Sequence, residues 1–245
     1  MLLSRPSLII VEAAGSDRVR TECNYLRVDE DGTTVATDGH IAVAVSPVPR
    51  KTYFPVPENG RRTPARGICL RPGLVEEAIR NMPKGEKNAA MQYAAFTKIT
   101  QDSASVATVC HDSQHTAQGA VGREPYPKWR GLFRNVWKKI AGMANATGGR
   151  ICFKRSRLLN ALRILDNAAG EDGLVFIEFG DGGTPMLLRS VNPRTKQTVM
   201  MIVRPATLAE GEWMEHGAWE HGILESFSSE NMRKKKPAVR VEGGK

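Results

Sequence analysis

A strand, a helix and three further strands follow one another in the same order twice along this 245-residue chain, and that repetition limits the possible folds more than any other feature. The first copy occupies residues 67–121. Ile68 and Leu70 mark a short strand, and Arg71-Pro72-Gly73 leads into a helix ending near Met82. Leu74, Val75, Ala78, Ile79 and Met82 form its apolar stripe, with Arg80 on another side. Pro83-Lys84-Gly85 stops the helix, and weak strands are predicted at 91–100, 105–110 and 115–121. The second copy occupies residues 150–208: a strand at 151–154, a helix from a Ser156 cap to about Asn167, then strands at 174–180, 186–191 and 197–204. Leu158, Leu159, Leu162 and Leu165 are placed on the inward side of that helix, and Arg157, Asn160 and Arg163 on the other.

The first 50 residues follow the same plan with the opening strand missing. A short helix at 4–15 has Ser4 as its N-cap and Pro6 in its first turn. A β meander follows over 21–46. Leu26 and Val28 alternate with Arg27 and Asp29, Asp29-Glu30-Asp31-Gly32 supplies a turn, and a second run covers 33–36. Thr37-Asp38-Gly39-His40 is another tight turn before the apolar run 41–45. Pro47, Pro49, Pro55, Pro57 and Gly60 make 47–63 a connector. Repetition of this kind predicts stacked or side-by-side βαβββ modules that share a continuous sheet. Residues 209–245 form an appendage whose end is expected to be disordered, with Trp213 and Trp219 packing it onto the body.

Charge sharpens the expected function. Residues 209–245 carry 7 acidic and 6 basic side chains, which leaves the body with 29 basic against 19 acidic. Residues 122–163 hold eleven Lys or Arg and a single acid, Glu124. Such a block attracts phosphate at low salt; the alternative is a solvated basic face that serves solubility. Arg233-Lys-Lys-Lys236 reads as a solvated tail that adds non-specific affinity. No apolar run of about 18 residues exists to span a membrane, and Glu12 follows the N-terminal apolar block too closely for a signal peptide. Cys23, Cys69, Cys110 and Cys152 are scattered and read as reduced thiols, so a cytoplasmic setting is expected.

Catalytic signatures are missing from the sequence. There is no phosphate loop followed by Lys-Ser/Thr and no nucleophile elbow, and Gly180-Asp181-Gly182-Gly183 falls in a β-turn. Cys110, His111 and His115, and the pair His216 and His221, lack a second ligand cluster at zinc spacing. No cofactor, no metal and no enzymatic activity are expected; a nucleic-acid-modifying enzyme would need residues that no motif reveals.

Three segments in order carry a resemblance. Residues 36–42, ATDGHIA, then 126–133, YPKWRGLF, after a βαβββ unit, then 198–205, TVMMIVRP, resemble the bacterial sliding clamp, the β subunit of DNA polymerase III. The closing strand lacks the proline that the family carries inside it, and Pro205 follows instead. The resemblance implies the α+β DNA-clamp fold of repeated βαβββ half-domains, antiparallel sheets outside and helices on one face, with a complete clamp-like domain at 1–133 and a partial one at 134–208. The chain resembles a reduced clamp, and the reduction suggests a phage, plasmid or other mobile element. The resemblance implies a hydrophobic pocket for short linear motifs of polymerases and other partners, formed by Thr37, Gly39, His40, Ala42, Pro127, Leu132, Val199 and Met201. Ile41 and Gly131 stand where the family usually has arginines, so the rim chemistry differs. Two modules meeting at a seam do give a concave apolar site with a few orienting polar atoms; the competing reading of Thr37–His40 is a tight turn in which Asp38 bonds its own backbone. The resemblance also implies sequence-independent contact with double-stranded DNA through Arg80, Lys84, Lys138, Lys139, Arg157, Asn160 and Arg163, in a homo-oligomer near the nucleoid. The expected function is a processivity or docking platform. The alternative is a non-encircling clamp mimic that competes for or adapts clamp-binding proteins.

Overall fold

Leu2–Ser4, three residues before the first helix, turn out to be a strand in the computed structural model of the chain. The structure describes residues 1–16, 18–49, 54, 57–83, 91–110, 113–123, 125–142, 152–170, 174–180 and 183–206. The first module is β1 (Leu2–Ser4), α1 (Arg5–Ile9), β2 (Leu26–Val28), β3 (Thr34–Thr37) and β4 (Ile41–Val45). The second is β5 (Ile68–Leu70), α2 (Pro72–Arg80), β6 (Tyr93–Ile99), β7 (Ser103–Cys110) and β8 (Ser113–Gly122). After α3 (Trp129–Gly142), the third consists of α4 (Arg155–Ala169), β9 (Val175–Glu178), β10 (Met186–Val191) and β11 (Thr198–Val203). The first module therefore has the opening strand it was expected to lack. Three residues run straight into a Pro-containing helix turn, too few to display an alternation.

The strands form one antiparallel sheet in the order β1-β6-β7-β8-β5-β2-β3-β4-β11-β10-β9. The first two modules are cross-paired: β1 of the first lies on β6 of the second, and β5 of the second lies on β2 of the first. The third module joins through its last strand, with Val199 opposite Val45, Met201 opposite Val43 and Val203 opposite Ile41. Helices α1, α2 and α4 cover one face. Leu8, Leu74, Val75, Ala161, Ile164 and Leu165 bury there against Val43, Val45, Leu188 and Met201. Helix α3 covers the other face, with Phe133 and Val136 on Val35, Ala42, Ala44, Leu187 and Ile202. With both faces covered, β4 and β11 read as nearly unbroken apolar runs instead of alternating ones.

Three expectations for the third module change. Cys152–Lys154 form no strand. Helix α4 starts at Arg155 with Lys154 in the N-cap position, two residues before the expected Ser156 cap. Its inward stripe is Ala161, Ile164, Leu165 and Ala168, the i, i+3, i+4, i+7 set, so Leu159 and Leu162 are 60% and 39% exposed instead of buried. Helix α3 begins at Trp129, inside the YPKWRGLF segment.

Met1–Pro205 make one compact unit, and the expected 133/134 boundary falls inside it. Lys84, His111 and Glu124 lie outside the described residues, as do Asp181 and Gly182 of the expected β-turn. So does the appendage 209–245, and with it Trp213, His216, Trp219 and His221. None of the four cysteines is in a disulfide; Cys23 and Cys69 are buried, Cys110 and Cys152 half-buried. Among the described residues no helix is long and apolar enough to cross a membrane.

A buried polar peg locks the third module to the first. Gln197 has no exposed surface. Its Nε2 donates to Ser7 Oγ at 2.9 Å and to the Ser46 carbonyl at 2.6 Å, and its Oε1 accepts from the Ser4 hydroxyl. Ser4 at the same time accepts from Ser7 N at 3.2 Å as the α1 cap, as expected from the sequence. Removing the amide strands the buried serine groups. Gln197→Ala is expected to cost about 1–3 kcal/mol, read as a lower urea midpoint at an unchanged slope; an unchanged midpoint would show that the peg contributes nothing.

Candidate docking and nucleic-acid surfaces

The turn between β3 and β4 satisfies itself. Asp38 Oδ1 accepts from the backbone N–H of His40 and Ile41, both at 2.7 Å. Thr37 Oγ1 accepts from Gly39 N at 3.0 Å and donates to the Ile41 carbonyl at 2.7 Å. Gly39 sits at φ +83°, and a Cβ there would run into the Arg20 guanidinium. The bond from Arg204 N to the His40 carbonyl, 2.9 Å, ties the end of β11 to this turn. The polar residues are thus a tight turn placed at the seam between first and third modules.

Around His40 the charge is positive. Burial comes first among the effects that lower its pKa, and the Arg157, Arg20 and Arg204 cations add to it against Asp38. Its Nδ1 is buried without a hydrogen-bond partner. Arg20 and Arg204 were not among the expected site residues; no local pattern marks them, because they reach the turn from other elements.

Helix α3 is stapled to the outer face by the acidic β2–β3 turn. Trp129 Nε1 donates to Asp29 Oδ2 at 3.2 Å, and Arg130 reaches Asp29 at 3.0 Å and Asp31 at 2.8 Å while stacking 4.4 Å over the Trp129 ring. Burial alone would raise the Asp31 pKa, but hydrogen bonds from Thr33 and Arg130 hold it below the usual carboxylate value. Tyr126 donates to the Val35 carbonyl at 3.1 Å, and burial pushes its phenol pKa up. Trp129 and Phe133 meet edge to face with centroids 6.0 Å apart.

The eight expected pocket residues do not line one surface. Thr37 is buried at the end of β3, Gly39 is exposed and His40 half-buried at the turn. Ala42 is buried beneath α3, Pro127 is half-buried ahead of that helix, and Leu132 is 45% exposed upon it. Val199 and Met201 have no exposed surface and point to the α1/α4 side, the face opposite Ala42. Their register against Val45 and Val43 fixes that direction, and the strand period of two gives the outer face to Met200 and Ile202.

The basic residues are likewise divided between faces. Arg80 on α2 and Arg163 on α4 are exposed, and Arg157 and Asn160 on α4 half-buried, within the three-helix layer. Arg163 is engaged with Glu12 at 3.6 Å and Asn160 Oδ1 at 3.0 Å. Lys138 and Lys139 are exposed on α3, across the sheet from that layer, because Phe133 and Val136 carry α3 onto the outer face.

No known family profile and no curated protein matches the chain. Solved structures do. The β chain of DNA polymerase III from Streptococcus pneumoniae aligns at 12% identity and TM-score 0.55, over 85% of this chain and 64% of that one. The chain has the sliding-clamp fold. A DNA polymerase sliding clamp from Pseudomonas aeruginosa, solved with ligand, aligns at 14% identity and TM-score 0.54, over 85% of this chain and 66% of that one. PCNA from A. fulgidus, bound to the C-terminal region of FEN-1, aligns at 12% identity and TM-score 0.50, over 85% and 98%. The clamp-like chain therefore spans less than two thirds of the first bacterial protein, and at these identities the likeness is one of fold.

Two measurements check this geometry. Phe133→Ala is expected to lower stability by about 3–5 kcal/mol, the usual cost of emptying a buried phenylalanine site; a loss under about 1 kcal/mol would show that α3 is not seated on the sheet. In a histidine NMR titration, His40 is expected to titrate below the ordinary value of about 6.5 and to move up toward it in Arg157→Ala. A depressed folded pKa means that the unfolded chain binds the proton first, so this group costs stability as pH falls from the ordinary value through the folded one. A midpoint at or above the ordinary histidine value would contradict the arrangement.

Proposed function

We propose that this chain is a non-catalytic, clamp-type platform that contacts double-stranded DNA without sequence preference and docks short linear motifs of replication or repair proteins. The observation that carries the reading is the continuous sheet across β4–β11, with α2, α1 and α4 on one face and the Thr37–His40 turn at the seam. The basic excess of the body, 29 against 19, supports phosphate contact, with Arg80 and Arg157 on the helical face as its bearers and Lys138 and Lys139 on α3 outside that face. Docking is assigned to Thr37, Gly39, His40, Pro127 and Leu132, with Met200 as the outward residue of β11 in place of Val199 and Met201. One chain holds three modules, so encirclement requires a homo-oligomer.

The alternative, a clamp mimic that binds partners without encircling DNA, draws support from one feature: α3 already fills the outer face over Ala42 and Ala44. Retention on circular DNA compared with the same DNA linearised separates the two. Loss on linearisation supports encirclement, and equal retention on both assigns the chain to the adaptor class. Arg80→Ala and Arg157→Ala are each expected to flatten the salt dependence of DNA binding by about one unit of slope. For docking, a clamp-binding peptide is titrated against wild type and His40→Ala; equal affinities would remove the turn from the docking site.

A further inference from the structure

The basic block that the sequence places over residues 122–163 does not all reach the helical face. Five of its side chains, Lys128, Arg130, Arg134, Lys138 and Lys139, are exposed on α3 or just ahead of it, across the sheet from α1, α2 and α4. Helix α3 holds four basic residues and no acidic one. Phe133 and Val136 seat it on the sheet. Arg130, Arg134 and Trp137 recur at i, i+4 and i+7 along a flank that stays exposed, with Lys138 beside them. Arg130 is paired with Asp29 and Asp31, whereas Arg134 and Lys138 make no ion pair among the described residues. Leu132, assigned to docking above, lies off this stripe.

Each end of α3 continues into related chemistry. Toward its C-terminus Trp137 is 44% exposed, and the Arg189 guanidinium lies 4.9 Å from the centre of its ring. Arg189 stands opposite Phe176 in the β9–β10 register, so the two share the outer face, and Phe176 is 59% exposed. Glu178 holds Arg189 at 2.7 Å. A fixed guanidinium is thus accompanied by two open aromatic side chains. At the N-terminus Asp29 serves Arg130 and Arg27 together. Arg27 also donates from Nη1 to Cys69 Sγ at 3.7 Å, and its guanidinium covers Gly67 so closely that a Cβ there would collide with it. It walls an open cavity of about 530 Å³ that Arg66, Arg123, Ile99 and Val121 also line, with no acidic side chain in the lining. Arg123 is paired with exposed Asp102.

We infer that this outer-face track, from the Arg27 cavity along α3 to Trp137, binds single-stranded nucleic acid. Phosphates meet Arg27, Arg66, Arg134 and Lys138, and unpaired bases stack on Trp137 and Phe176. A basic track with aromatic platforms holds single strands without sequence preference, because every base has a π-face. A duplex uses only the charges of such a surface, since its bases are stacked on one another. An acidic protein segment likewise uses only the charges and leaves the rings without a partner. The sheet separates this track from the α1, α2 and α4 layer that bears the proposed duplex contact, so the two ligands call on different residues. The inference goes beyond that proposal and does not rest on it.

The test uses the full chain and a fluorescein-labelled oligothymidylate of about 12 nucleotides, within the span of single-strand sites, followed by anisotropy across a salt series. Wild type is expected to bind, and Trp137→Ala to weaken binding about 5- to 150-fold, the usual worth of one stacked base. Trp137→Phe is expected to restore most of that loss. The double variant Arg134→Ala/Lys138→Ala is expected to flatten the salt dependence by about 1.4 in slope, at about 0.7 for each phosphate contact. A duplex of the same length, measured in parallel, is expected to respond to Arg80→Ala and not to Trp137→Ala, so the two surfaces fail separately. An oligouridylate of equal length names the source, RNA or DNA, by which strand binds more tightly. Failure to bind either single strand overturns the inference, and so does binding that Trp137→Ala leaves unchanged. Polyglutamate that matches the oligothymidylate in affinity and in its loss on Trp137→Ala also overturns it, by assigning the surface to an acidic protein.

Discussion

The antiparallel pairing of β4 with β11 is the contact on which the rest of the molecule depends. It joins residues more than 150 positions apart and turns two sets of strands into one sheet. Both strands are buried on both faces, so each side chain along them serves one layer or the other. Val43, Val45, Val199 and Met201 give the helical layer its floor beneath α1 and α4. Ala42, Ala44 and Ile202 give α3 its floor on the reverse. Small residues at positions 42 and 44 allow α3 to lie close to the sheet, and the Gln197 peg fixes the ends of β4 and β11 against α1. A slip of one residue in this pairing would exchange the two floors.

Much of this was legible in the sequence, and the reasons for the exceptions are physical. The helix stripe of α2 and the repeated strand–helix–strands order follow from periodicity, which survives in a single sequence. Strand β1 escaped because three residues carry no period. The direction of Val199 and Met201 escaped because a strand covered on both faces is apolar at every position, so nothing in TVMMIV says which residues look outward. The leucines of α4 offered two overlapping stripes. Ala161 and Ala168 decided between them, since small residues let α4 approach the sheet and α1 closely. The seat of α3 was hidden for another reason: Asp29 and Asp31 meet Trp129 and Arg130 across about 100 residues of chain.

The candidate site inherits this division. The Thr37–His40 turn was readable because its bonds are local, and Asp38 and Thr37 close it as turn chemistry requires. What surrounds the turn is not local. Arg20 closes over Gly39, Arg204 follows the end of β11 and Arg157 comes from α4, so a partly buried imidazole whose pKa is lowered sits among cations from separate parts of the chain. That setting disfavours a second positive charge and favours a ligand that brings negative charge or hydrogen-bond acceptors to the turn. Under the docking role proposed above, a motif with acidic or carbonyl groups at its end would meet that requirement and a basic one would not.

Edge chemistry completes the physical account. A sheet of this length has two ends, and the molecule treats them differently: β1 is short and held by the chain's own amine, whereas β9 is apolar on both faces. The exposed side chains beside β9 belong to both layers, α4 on one and the strand on the other, so what is uncovered is a whole cross-section of the fold instead of a random patch. A loose peptide adding one strand would cover the edge but leave Leu159 and Leu162 in water. Burying both layers at once takes a strand and a helix arriving together.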